Sequence, residues 1–353
     1  MRFNKFVNAT EFIIISPCAQ AILAILVVFV GLWGTLFTNE IRSTFPFDNK
    51  IHGKVVYESI VFWGCFVLTS IAYFLGYNFQ RRVERNNSHA LRQAILHAPP
   101  VNWMQGFVVR LNEIHSMAAV IDNTTSKIDV ENAMRATLYA IADLVNQMGP
   151  VSGRRIAACL MVYYPSCNMS REFSSYLEGK LRFCDPSLGI HRLKGVLNLN
   201  KVFSTALDDS VPAGDIDPSI DEFSLEIPVD PKTTEGKLRT GPGAPFAFTF
   251  DEVQYFSEVS HIVNWVTTNA NLQPAVIQEF QRYFGFGSFI QSFVSMPVHE
   301  GITSSKTIIG VLNIHANQKG LLPSDQETYK LICQAISAFD PVIAKLLKIW
   351  KEK

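Results

Sequence analysis

Apolar residues follow three regimes along this chain. Near the start, two uncharged runs, Phe12–Asn39 and Ser59–Gln80, are almost continuously apolar. A bilayer core of about 30 Å is spanned by about 20 mostly apolar helical residues. The pattern therefore predicts a two-helix transmembrane hairpin over residues 1–80. Next, Trp103, Phe107, Leu111, Ile114 and Ala118 recur every three or four residues, one face of an amphipathic helix. Residues 81–125 read as a stalk and connecting helix, with Pro99–Pro100 ending the polar stretch that leaves the second run. Ser126 and Asp129 form a capping box for another helix, whose inner face is Val130, Met134, Leu138, Ile141 and Val145.

From there the period changes. Ile156–Tyr164 is a β-rich run closed by Pro165. Period-two alternation predicts short strands at Leu181–Phe183, Phe223–Val229 and Phe246–Phe250, separated by turn-rich loops at Asp208–Asp221 and Pro231–Pro245. Glu252–Ala270 and Pro274–Tyr283 read as helices, and Phe293–Val298 and Thr307–His315 as a strand pair. A last helix opens at the capping sequence Ser324–Asp325–Gln326–Glu327, with a kink at Pro341. Strands in hairpin relation with helices segregated to one side make an α+β fold. The expected architecture is thus a transmembrane helical hairpin followed by an antiparallel sheet with helices on one face.

Charge sets the orientation. Arg2 and Lys5 precede the first run, and Arg81, Arg82, Arg85 and Arg92 crowd the exit of the second. The positive-inside bias puts both termini and the whole domain in the cytoplasm, as a multi-pass membrane protein in contact with the lipid bilayer. A cleaved signal peptide is the competing account of the first run. Its apolar core would span about 7–15 residues, the run is longer, and Leu36–Phe37–Thr38–Asn39 is a poor cleavage site. Neither run carries a central ionisable residue, which weighs against a proton relay. Net charge is zero and charged residues make up 18% of the chain, which argues against a nucleic-acid partner. The six cysteines form no C-x-x-C pair. They read as free thiols in a reducing compartment rather than a metal site or disulfides.

The C-terminal third resembles a known family. Ser295–Met296–Pro297–Val298–His299–Glu300–Gly301, then Ile308–Ile309–Gly310–Val311–Leu312–Asn313–Ile314, then Ser324–Asp325 opening a helix, is similar to the end of a GAF domain. Val130–Met148 followed by Ala157–Tyr164 resembles that family's opening helix and first strand. The resemblance places a GAF-like sensor domain at residues 126–353. It implies a six-stranded antiparallel sheet with helices on one face and a small-molecule cavity on the other, and pairing through terminal helices. Asn200–Lys201 and Phe250–Asp251–Glu252 do not reproduce the spacing of the family's cyclic-nucleotide motif, and no bilin-attachment motif is present. The cofactor is unknown at this level.

Candidate ligand contacts follow from residue type and spacing. Asn313 and His315 share one strand face, as residues i and i+2 do, and either point into a ligand cavity or sit at a solvated strand end. His191, Arg192 and Lys194 form a basic cluster. Lys237 and Arg239 precede Gly241–Pro242–Gly243, where backbone N–H groups can approach an anion. Phe248 lies in an aromatic group with Phe246, Phe250, Phe280, Phe284, Phe286 and Phe289, suited to stacking a flat ligand or to filling a core. No G-x-S-x-G, H-E-x-x-H or paired histidine–carboxylate set appears, so the expectation is a binding protein and not an enzyme. Two functions fit. One is a sensor that recognises a small molecule or nucleotide and signals through homo-oligomerisation. The other is a membrane effector whose helices form a pore or disrupt the bilayer when a nucleotide second messenger binds.

Overall fold

The computed structural model describes residues 31, 32, 35, 36, 38, 62–71, 74, 81, 99–148, 153–184, 189–208, 210–285, 288–301 and 307–353. The chain divides into two compact units, Met1–Leu96 and His97–Lys353. In the first unit, residues 62–71 are helical, and the Thr69 hydroxyl donates to the Cys65 carbonyl at 2.7 Å. Among the described residues no helix is long and apolar enough to cross a membrane. Most of the predicted hairpin lies outside the described residues.

The second unit opens with α1 (Val101–Val120) and α2 (Lys127–Asn146). The Ser126 side chain accepts from the Asp129 N–H at the start of α2, as its sequence predicts. β1 (Ile156–Pro165), α3 (Arg171–Glu178), β2 (Leu181–Arg182), β3 (Leu193–Leu207) and β4 (Phe223–Pro228) follow. Next come α4 (Ala244–Phe250), β5 (Gln254–Phe256), α5 (Ser260–Asn269) and α6 (Pro274–Tyr283). The unit closes with the hairpin β6 (Ser292–Glu300) and β7 (Thr307–Ala316), then α7 (Gln326–Ile336) and α8 (Asp340–Lys351), which a 3-10 turn at Ser337–Phe339 separates beside Pro341.

The strands form one sheet in the order β2-β4-β3-β1-β7-β6-β5. Every neighbouring pair is antiparallel except β2 with β4. Strand alternation sorts side chains between two cores. Leu160 and Val162 of β1, Leu312 and Ile314 of β7, and Val294 and Met296 of β6 face the core shared with α1, α2, α7 and α8. Cys159 and Met161, Val311, and Phe293 face a second core with α4, α5 and α6.

The α+β class and the antiparallel character stand. Three details of the expectation do not. Among the described residues the sheet has seven strands, one pairing is parallel, and helices cover both faces. Phe246–Phe250 is a helix rather than a strand: Pro245 occupies its first turn, where a missing N–H costs nothing, and Asp251, in the left-handed conformation (φ 54°), ends it. Glu252–Ala270 is divided between β5 and α5.

Helix α1, expected as a connecting helix, packs into the first core. Trp103 is 1% exposed, and its Nε1–H donates to the Leu144 carbonyl at 2.7 Å. That carbonyl is in the last turn of α2, where helix geometry supplies no N–H. From the other end of the unit, Lys345 Nζ of α8 donates to the Ala118 carbonyl of α1 at 2.6 Å.

Candidate functional site

A cavity of about 370 Å³ opens on the second face of the sheet. Its floor is built by strand register. Cys159 of β1 stands opposite Asn313 of β7, Asn313 opposite Ser295 of β6, and Ser295 opposite Gln254 of β5. Side chains directly opposite on one face are neighbours, so a polar row crosses four strands, and of its members Cys159, Asn313 and Ser295 line the cavity while Gln254 lies beyond it. Ser295 Oγ donates to Asn313 Oδ1 at 2.6 Å. The Gly243 N–H donates to Gln254 Oε1. The adjacent row places His315 opposite Ala157 and Phe293.

The walls are aromatic. Phe183, Phe223, Phe280, Tyr283, Phe284 and Phe293 all line the cavity. Phe183 stacks on Phe280, with centroids 4.4 Å apart. The chain is held in the left-handed region at Phe183 (φ 55°), a conformation that needs support from its surroundings. Its N–H donates to Glu279 Oε2 of α6 at 2.8 Å, which ties this turn to the helix that carries Phe280.

Burial decides the protonation states on the floor. The Cys159 thiol is pushed up to about 12, chiefly by burial and further by the nearby Asp217 charge, against a hydrogen bond with Asn313 that acts downward. His315 is pulled down to about 4 by burial first; the Arg155 charge adds to this and Asp217 opposes it. The imidazole is therefore neutral at physiological pH, and its Nε2 is buried without a hydrogen-bond partner. Phe289 stands edge-on to the His315 ring at 5.7 Å, and the Arg155 guanidinium lies 5.3 Å over Phe289. Arg155 in turn pairs with Asp208 at 2.8 Å and with the fully buried Asp217, and Asp217 Oδ1 accepts from the Ser219 hydroxyl at 2.7 Å.

Of the six residues singled out from sequence, Asn313 and His315 line the cavity. Phe248 is 6% exposed, belongs to the second core and packs on Tyr163 with centroids 4.2 Å apart. Arg239 is exposed, held through its backbone N–H to the Pro231 carbonyl at 2.9 Å. His191 and Arg192 are exposed on a 3-10 turn (Ile190–Arg192) before β3. None of these four lines the cavity. Gly241, Pro242 and Gly243 do line it, but Lys237 and Arg239 are exposed rather than gathered there. The Gly243 N–H, a candidate anion donor, is already taken by Gln254. Phe280, Phe284 and Phe289 of the aromatic group are lining residues, and Phe286 lies outside the described residues.

Sequence reasoning missed Cys159, Ser295, Phe183 and Phe223. Each sits in a run it marked as a strand, though Phe183 falls just past the end of β2 and in a different core from Leu181. What it lacked was the pairing register that sets Ser295 and Cys159 on either side of Asn313.

Among the described residues, no group of three or more histidines, cysteines or acids is arranged to hold a metal ion. Compared with protein-family models and with curated proteins, the chain finds no match.

Proposed function

We propose that this chain is a membrane-anchored sensor whose GAF-like cytoplasmic domain binds a small molecule in the cavity over Asn313 and signals through oligomerisation. The observation that carries this reading is the cavity itself: about 370 Å³, aromatic on its walls and hydrogen-bonding on its floor. Ligand sites have this composition, mostly apolar with a few placed polar groups, and begin at about 300 Å³. Binding fits the chemistry better than catalysis does. A thiol held near 12 is protonated, and an imidazole held near 4 is a weak base, so Cys159 and His315 do not make an activated pair.

Support for the anchor comes from the first unit. Phe66, Val67, Leu68 and Ile71 are 47–68% exposed on a charge-free helical stretch. Lipid is a natural environment for such a surface. A ligand that contacts two arrangements of the domain unequally shifts the balance between them, and that balance can include the oligomer.

Two measurements test the proposal. Carbonate-washed vesicles should retain the chain; release of the intact polypeptide would remove the anchor. A thermal-shift panel of nucleotides, nucleobases, amino acids and fatty acids on the detergent-solubilised full chain should raise the unfolding temperature with at least one compound. Chemical crosslinking with and without that compound should show a changed oligomer distribution. No shift from any compound, together with a cavity filled by side chains in an experimental structure, would sink the binding claim.

A further inference from the structure

The cavity's walls and floor narrow the chemistry of its occupant. Phe183, Phe280, Phe284 and Phe293 hold nearly parallel ring planes, with interplanar angles of 19° between Phe183 and Phe280, 10° between Phe280 and Phe284, and 21° between Phe284 and Phe293. Aromatic surfaces that share an orientation accept a flat guest in offset stacking. An aliphatic chain gains nothing from that shared orientation.

The floor asks for heteroatoms. Asn313 spends one lone pair of Oδ1 on Ser295 and bonds to the Cys159 thiol. An amide has two N–H donors and a carbonyl with two lone pairs, so capacity remains after both contacts. A purely hydrocarbon guest would bury that capacity unmet, at a cost per group comparable to a lost hydrogen bond.

The floor also disfavours charge. His315 is neutral at physiological pH because burial holds it down at about 4. The guanidinium beside it, Arg155, is held by Asp208 and Asp217. Of the charged lining residues, Arg182 and Asp221 are exposed and opposite in sign, and the half-buried Glu226 adds a second carboxylate that repels an anion. A phosphate on this floor would leave water for neutral partners, with the buried Asp217 carboxylate close by. Burying an anion without a partner is far costlier than burying a neutral polar group.

We infer that the cavity takes an uncharged, planar nitrogen heteroaromatic of one or two rings, stacked against the parallel phenylalanines with its ring heteroatoms on the Asn313–Ser295 floor. This rests on the binding reading above and names the ligand class for that site.

The test is equilibrium binding to the detergent-solubilised full chain by calorimetry. The probes are adenine, guanine, quinazoline and indole, with AMP and cyclic AMP as anionic counterparts, naphthalene as the hydrocarbon of the same shape, and myristate as an aliphatic. At least one neutral heteroaromatic should bind, with naphthalene and the nucleotide forms about ten-fold weaker or more. Asn313→Leu and Ser295→Ala should each weaken that heteroaromatic by about ten-fold, the scale of one buried hydrogen bond. The quinazoline–naphthalene comparison uses the unaltered chain, so it decides even if a variant fails to fold. Equal binding of that pair overturns the polar-floor argument. Binding of nucleotides or myristate without any neutral heteroaromatic overturns the ligand class but leaves the sensor proposal standing. Failure of every probe, nucleotides and myristate included, overturns the ligand class, and the broader thermal-shift panel above then decides the binding claim.

Discussion

Trp103 should be worth more to the second unit than its place ahead of the sheet suggests. The indole does two jobs. Its ring is 1% exposed and stacks on Phe107, with centroids 5.6 Å apart. Its Nε1–H donates to the Leu144 carbonyl in the last turn of α2 at 2.7 Å. Two substitutions separate the jobs. Trp103→Phe keeps most of the apolar ring but leaves Leu144 without its donor, at a cost of about 1–3 kcal/mol. Trp103→Ala also opens a cavity, so about 3–5 kcal/mol is expected from the lost packing, plus the stranded carbonyl. For a unit of this size each kcal/mol moves the midpoint by about 2–4 °C. Thermal unfolding of the full chain, followed by circular dichroism, should therefore place the phenylalanine variant about 2–12 °C below the parent and the alanine variant lower still. If both variants melt with the parent, α1 is not part of the cooperative core and the domain begins at α2.

Three further outcomes follow from individual contacts. A Cβ at Gly310 would sit 2.4 Å from the Met161 carbonyl oxygen, a backbone atom in a central strand that cannot step aside, so Gly310→Ala should destabilise by about 1–3 kcal/mol in urea titration; an unchanged midpoint would refute the close approach. Maleimide labelling of the native chain with mass-spectrometric readout should modify the exposed Cys167 well before Cys159 and Cys333, which are buried and pushed up to about 12; early modification of either buried thiol would contradict its environment. His315 takes up a proton more readily unfolded than folded, because its folded value lies near 4 and its ordinary value near 6.5. Its contribution is therefore intact above about pH 6.5 and is lost as pH falls toward 4, by about 2 kcal/mol between pH 7 and pH 5. His315→Gln should flatten that slope in stability measured across the same range, and an unaltered slope would assign the acid sensitivity elsewhere.

What the sequence revealed of this fold depended on whether the evidence was local. The start of α2 was legible because Ser126 and Asp129 are three residues apart and satisfy one helix end. The break between α7 and α8 was legible because Pro341 cannot continue a hydrogen-bond ladder. Phe246–Phe250 failed for a physical reason: five residues alternate as well by chance as by pleat, and the first-turn Pro245 that argues for a helix lies just outside that window. β3 went unmarked because its residues Leu193–Leu207 include Gly195, Asn198, Asn200 and Lys201, which interrupt the alternation. Those interruptions have structural causes. A Cβ at Gly195 would meet the Tyr164 carbonyl oxygen at 2.5 Å, and the buried Asn198 accepts from the Ser224 hydroxyl at 3.0 Å.

The candidate site divides along the same line, and the division explains its chemistry. Asn313 and His315 were found from their i, i+2 spacing, which is a property of one strand. Their partners come from other strands and loops: Cys159 lies 154 positions earlier than Asn313 (313 − 159), and Asp217 comes from the turn-rich loop before β4. A row of polar residues across four strands is invisible until the register is known, yet that row, with His315 in the row beside it, is what makes a floor rather than two isolated polar side chains. The same register places Phe293 opposite His315 and, two residues along on the same face, Ser295 opposite Asn313. The offset between adjacent rows sets stacking surface beside hydrogen-bonding surface within a single strand repeat. A flat ring bearing nitrogen in its edge would match both at once, and the proposed ligand class rests on that coincidence more than on any one residue.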